Sequence, residues 1–118
     1  MAILDLQIRF KKWAIAVVLL TRKFPSEPEF KACRNQLVRS APSSAANYRA
    51  ASRGKSTADF IHKLKIVEEE LDETIFWLEF IIELIPGLKE EINPIMKESH
   101  ELLAIVVASI KTARNNKS

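Results

Sequence analysis

Apolar residues recur along the chain at alternating steps of four and three, which is the spacing of a helical stripe. The first run is Leu6, Phe10, Trp13, Val17, Leu20 and Phe24. Ile15, Ala16, Val18 and Leu19 add apolar surface outside that stripe. The excess suits a helix buried from two directions, or a surface between copies. Pro25 ends this helix, because the residue before a proline is pushed out of helical geometry. Ser26 with Glu29 three residues on reads as a capping box that starts a second helix. Its stripe is Phe30, Cys33, Leu37, Ser40, Ser44, Asn47 and Ala51, small or polar beyond Leu37. Pro42 falls inside it, and helical periodicity continues on both sides. A kinked continuous helix and a break into two both stay open, and we expect the kink.

Gly54 stops the second helix, and Ser56 with Asp59 reads as the next capping box. The third helix has the clearest pattern: Phe60, Leu64, Val67, Leu71, Thr74 or Ile75, Leu78, Ile81 or Ile82, and Ile85. Glu68, Glu69, Asp72, Glu73, Glu79 and Glu83 form its outer face, and Pro86-Gly87 closes it. The last helix starts between Leu88 and Pro94, a proline being tolerated in a first turn. Ile92, Ile95, Leu102, Leu103, Val106, Ile110 and Ala113 continue the stripe, and the tail from Lys111 is expected to fray. The expected fold is all-α: one domain over 1–118, with helices at about 4–24, 27–53, 57–85 and 89–114. Short connections make it an up-down-up-down antiparallel four-helix bundle.

Composition agrees, since 47% of the residues are hydrophobic and only two are glycine. The longest unbroken apolar run, Trp13 to Leu20, is eight residues, and a membrane span needs about twenty. Arg9, Lys11 and Lys12 follow the first apolar residues, which does not read as a secretory leader. The single cysteine cannot pair within the chain, so a reducing, cytoplasmic setting is expected. Net charge is +3 but divides unevenly. Residues 1–65 hold thirteen Lys/Arg against four Asp/Glu (+9), and residues 66–118 hold five against eleven (−6). Either the basic half meets an acidic partner such as nucleic acid, or the halves complement each other within or between copies.

Chemistry is sparse. Asp59 and His62 have the spacing of a di-metal bundle ligand pair, but no second pair exists and Asp59 is needed at the cap. No metal and no cofactor is expected. Cys33 sits on the apolar stripe, where a thiol is buried and inert. No glycine-rich phosphate loop occurs, and Glu68-Glu69-Glu70 reads as a solvated helix face. Nothing points to an enzyme. The basic set has more content: Arg34, Arg39, Arg49, Arg53 and Lys55 decorate the second helix and its exit, a candidate phosphate-binding surface. Tyr48 could stack on a base or pack in the bundle. Asn47 on the stripe is expected to find a hydrogen-bond partner on the third or first helix, because an unpaired buried amide is costly.

Gln36-Leu37-x-Arg39-Ser40, Ser44-x-x-Asn47-x-x-x-Ala51, Ser56-x-x-Asp59-Phe60-x-x-Lys63-Leu64 and Glu69-x-x-x-Glu73-Thr74-x-x-Trp77-Leu78-Glu79 form one long motif set. It resembles a bacterial four-helix-bundle family first noted as reading frames in intervening sequences of 23S ribosomal RNA genes. The accessory variability determinant of diversity-generating retroelements is similar to that family. The resemblance implies a homopentameric ring with a basic surface or channel, RNA or DNA as ligand, a reverse transcriptase as partner, and no membrane. It marks Asn47, Ser56, Asp59, Phe60, Glu73 and Trp77 as structural motif residues, with Arg39 and Glu79 also matching. Ala50 departs from the pattern, standing where the family often has a glutamate, and this leaves the second helix more positive.

Overall fold

The computed structural model describes residues 3–116. Its helices are α1 (Ile3–Leu20), α2 (Pro28–Ala51), α3 (Thr57–Leu84) and α4 (Lys89–Asn115). Single 3₁₀ turns, Thr21–Lys23 and Pro86–Leu88, follow α1 and precede α4. Each helix packs on the two beside it, in the order α1–α2–α3–α4–α1, and among the described residues the backbones of the diagonal pairs do not approach closely. The result is an antiparallel bundle 51 Å long and 22 × 20 Å across.

The stripes expected from the sequence form the core. Leu6, Phe10, Trp13, Val17, Leu20 and Phe24 are all buried, as are Leu64, Val67, Leu71, Leu78 and Ile81. Each such large side chain contributes about 1.5–3 kcal/mol by leaving water. Tyr48, one position off the α2 stripe, is buried too and stacks on Phe10 at a ring distance of 4.6 Å. The base-stacking role held open for it is therefore excluded by packing. Cys33 is buried as expected.

Four local features differ from the sequence reading. Helical hydrogen bonding in α1 tightens to 3₁₀ at Thr21, where the Thr21 hydroxyl donates to the Val18 carbonyl at 2.6 Å. The α2 N-cap is Glu27 rather than Ser26, and it makes no side-chain cap bond. Pro28 supplies the helical φ at the first position and has no donor to satisfy, so the Ser26–Glu29 box is not needed. Pro94 is the sixth residue of α4 rather than a first-turn residue, and it lies exposed, where its lost hydrogen bond costs least. The end of α4 does not fray at Lys111 but stays helical through Asn115. Pro42 lies inside an unbroken α2, which removes the two-helix alternative.

Packing between α2 and α3 uses small residues. Ser40, Ala41, Ser44 and Ala51 are fully buried, so the two backbones approach closely. Buried hydroxyls then need partners. The Thr74 hydroxyl donates to the Glu70 carbonyl at 2.8 Å. Ser40 therefore supplies the proton of its 2.7 Å bond to Thr74. Ser44 Oγ is buried with no partner in the structure. Ser44→Ala removes an unsatisfied hydroxyl and adds helix propensity, so it is expected to stabilise the protein by about 1 kcal/mol. Ser40→Ala gains the same propensity but loses its bond, and is expected to fall about 1 kcal/mol below Ser44→Ala. Urea denaturation of the two variants side by side checks this order.

Candidate nucleic-acid interface

The five basic residues singled out on α2 and its exit separate into two groups. Arg34 turns back on the α1–α2 connection. Its Nε donates to the Thr21 carbonyl at 3.3 Å, and its Nη2 to the Phe24 and Pro25 carbonyls at 3.0 and 3.1 Å. It gives the Phe24 and Pro25 carbonyls a donor and joins the Phe24 N–H on the Thr21 carbonyl, tying down the end of α1. Arg39 bonds across to α3. Its guanidinium donates to the Glu73 carboxylate and lies 3.8 Å from Glu70 Oε2. The Glu73 hydrogen bond raises the Arg39 pKa, opposed by a smaller desolvation effect.

Asn47 completes this cluster. Its amide donates to Glu70 Oε1 at 3.0 Å and to the Ser43 carbonyl at 3.0 Å. The expected partner on the third helix is thus Glu70, whose side chain is only 12% exposed. A carboxylate so placed needs a donor, which Asn47 supplies, and the Arg39 charge compensates it from 3.8 Å on the same helix face. Arg34, Arg39 and Asn47 hold the fold.

Arg49, Arg53 and Lys55 are exposed, and no ion pair to them occurs among the described residues. The antiparallel topology adds to them. The end of α2, the start of α3 and the end of α4 meet at one pole, where Ala51, Ser52, Gly54–Thr57 and Phe60 share a hollow with Ala113 and Asn116. Lys63 and Lys65 on α3 and Lys111 and Arg114 on α4 therefore join Arg49, Arg53 and Lys55. The nearby acids are Asp5 and Asp59, with Glu68 and Glu69 one turn beyond Lys65 on α3. Asp59 is held: it accepts from the Lys55 backbone N–H at 3.4 Å and lies 3.4 Å from Lys63 Nζ. Ser56 caps α3 as expected, accepting from the Asp59 N–H at 3.1 Å. A Cβ at Gly54 would lie 2.9 Å from Asp59 Oδ2 and 3.1 Å from the Ala51 carbonyl, so a side chain there would push the Asp59 carboxylate aside.

The opposite pole is mixed in sign. Lys23 pairs with Glu91 at 2.6 Å there, and Glu27, Glu29, Glu83 and Glu90 add negative charge. Lys63, Lys65, Lys111 and Arg114 were not singled out from the sequence, where they stand apart from the α2 residues. The signal that could have found them was the up-down topology, which sets helix ends three elements apart side by side. Phe60 and Trp77 are half-buried against the core. Among the described residues no three His, Cys, Asp or Glu side chains gather as a metal site. Among the same residues no helix is long and apolar enough to cross a membrane.

Two predictions follow from these environments. Asn47→Ala leaves Glu70 short of a donor and is expected to cost about 1–3 kcal/mol. Asn47→Asp sets two carboxylates face to face and should melt lower still; thermal unfolding gives the order. Burial raises the Cys33 thiol above its ordinary 9.0, against a smaller lowering by a backbone hydrogen bond. Burial also raises the Tyr48 hydroxyl above its ordinary 10.0. Both groups ionise first in the unfolded chain, so their contribution is intact below pH 9.0 and is lost as pH rises beyond it. The urea midpoint should drop above that pH, and by less in Tyr48→Phe.

A family model described as 23S rRNA-intervening sequence protein matches residues 4–108. The crystal structure of a protein of unknown function from the S23 ribosomal protein family, from Bacteroides thetaiotaomicron VPI-5482, superposes with a TM-score of 0.84. The two chains are 31% identical, and the match covers 94% of this chain and 99% of that one. Comparison with curated proteins gives no match.

Proposed function

For a chain that belongs to the 23S rRNA-intervening sequence protein family, we propose a non-enzymatic, oligomeric accessory protein of the cytoplasm that binds the phosphate backbone of RNA or DNA. The observation that carries this reading is the basic pole. Arg49, Arg53 and Lys55 stand exposed there beside Lys65, Lys111 and Arg114, and the internal ion pairs that neutralise Arg9, Lys23 and Arg39 do not reach them. Clustered cations without carboxylate partners attract polyanions and release their counterions on binding. No base-reading helix or aromatic platform accompanies the cluster, so contact with phosphates rather than with base edges is the chemistry it supports. Homopentameric assembly, which the family resemblance implies, would repeat the pole in every copy.

The competing reading makes the protein a homo-oligomeric scaffold whose arginines serve subunit contacts. It would bury Arg34, Arg39 and Arg49 against acids of a neighbouring copy; Arg34 and Arg39 disfavour it, because both are satisfied inside their own chain, while exposed Arg49 is open to either role.

Binding to short RNA and DNA duplexes is expected to weaken steeply as salt rises, each phosphate contact adding about 0.9 to the logarithmic slope. The variant Arg49→Ala/Arg53→Ala/Lys55→Ala should bind more weakly and flatten that slope by up to about three contacts' worth. Absence of binding at low salt, or affinity indifferent to salt, would overturn the proposal.

A further inference from the structure

Seven of the nine exposed large apolar side chains of the described residues fall in two patches, Val38 and Val107 standing apart. Leu4, Ile8, Ile15 and Leu19 lie on the outer side of α1, and Phe76, Phe80 and Leu84 on the outer side of α3. The two patches differ in shape and in charge.

The first is a groove between α1 and α2, about 650 Å³ in volume. The four α1 residues make its wall. Pro42, Ala45 and Ala46 of α2 line the other side, and their small side chains keep the groove open. Its charged lining residues are Lys11, Arg49 and Arg53, and no carboxylate lines it. Arg49 and Arg53 stand where the groove meets the basic pole.

The second is a ridge. Phe76, Phe80 and Leu84 recur every four residues and are 52%, 39% and 39% exposed. Trp77 braces the aromatic rings, at 5.0 Å from Phe76 and 5.4 Å from Phe80, near edge-on to both. Aromatic side chains held in this way lose little freedom on being covered. Asp72, Glu79 and Glu83 flank the ridge, and α3 carries no Lys or Arg from Ile66 to Leu84.

We propose that the ridge of one copy seats in the groove of a second copy. The aromatic rings would fill the space left open by Pro42, Ala45 and Ala46, and the ridge carboxylates would face Lys11 and Arg49. Lengths agree: Leu4 to Leu19 spans about 22 Å along α1, and Asp72 to Leu84 about 18 Å along α3. Opposite rims draw the patches together and fix their register, while the apolar centre provides the affinity. α1 and α3 lie on a diagonal of the bundle, so groove and ridge face different ways and the contact is heterologous. Each added copy then leaves one groove and one ridge open until a ring closes. The inference rests on the oligomeric part of the proposed function; it shares Arg49 and Arg53 with the nucleic-acid part, and its test reads assembly rather than nucleic-acid binding.

Ile15→Asp disables the groove and Phe80→Asp disables the ridge. Both residues are about half exposed or somewhat less in the single chain, so circular dichroism and melting should show an intact fold. Light scattering is expected to find the wild type assembled, each variant monomeric, and a mixture of the two forming a one-to-one dimer and nothing larger. The dimer forms because each variant retains the half that the other lacks. Val107→Asp, at an exposed α4 position outside both patches, should assemble like the wild type. A monomeric wild type would overturn both this contact and the oligomeric reading. An assembled wild type whose variants remain assembled, or whose mixed variants stay monomeric, would overturn the contact alone.

Discussion

The close approach of α2 to α3 sets the terms for the rest of the bundle. Small residues at Ser40, Ala41, Ser44 and Ala51 let the backbones come together. At that separation a polar group between the helices finds its partner inside the contact or, like Ser44 Oγ, goes without one. The Ser40–Thr74–Glu70 chain of hydroxyls and carbonyl does this in the interior. At the edge, Asn47 and Arg39 do it for the Glu70 carboxylate. Satisfied polar groups of this kind fix register, because a shift by one turn would strand each of them. The α1–α4 contact is held differently. Trp13 donates to Ser99 at 2.8 Å in the interior, and Arg9 reaches Glu98 at 3.0 Å. Polar ties also place that seam, around a smaller apolar contact.

These structural demands decide which cations remain available for a ligand. Arg34 completes the end of α1, and Arg39 compensates Glu70 and Glu73. Both are arginines where a fork of donors is needed. The residues left over sit where helices end, and the helices alternate in direction. Charge that is divided by halves along the sequence is therefore redistributed along the bundle axis. The acids of α3 lie midway and toward the far pole, while its lysines lie at the near one. Complementarity between the halves and a polar distribution of charge are both present, in different parts of the molecule.

Much of this was legible in the sequence. Every residue of the heptad run from Leu6 to Phe24 is buried, and Ala14 beside it is buried too. The Ser56 cap and the Asn47 partner on α3 were readable because each rests on a local rule: a cap needs an acceptor, and a buried amide needs a partner. Tyr48 was not readable, since it lies beside the stripe and is buried only because Phe10 on another helix offers a ring to stack on. Ser26 looked like a cap because its spacing to Glu29 fits, but Pro28 had already set the helix start. The basic pole required knowledge of which helix ends meet. No window of sequence holds Lys55 and Lys111 together.

Groove and pole share Arg49 and Arg53, which links the two proposed contacts physically. A guanidinium half surrounded by apolar groove is less hydrated than a free surface cation, and it attracts carboxylate or phosphate more strongly. A seated ridge would draw these two side chains toward its own acids or, by neutralising Lys11 and Arg49 alone, leave Arg53 and Lys55 at the rim. Only the second arrangement lets one molecule assemble and bind a polyanion together. The position of Arg53, beyond the last turn of α2 and on the side of the pole, favours it. A closed ring would then set the same rim around its axis once per copy. Phosphate contacts too weak to count singly would add along one strand, since the second and later contacts form at high effective concentration. The two proposed contacts can then coexist although they share Arg49 and Arg53, because the groove runs along the helices and the pole lies across their ends.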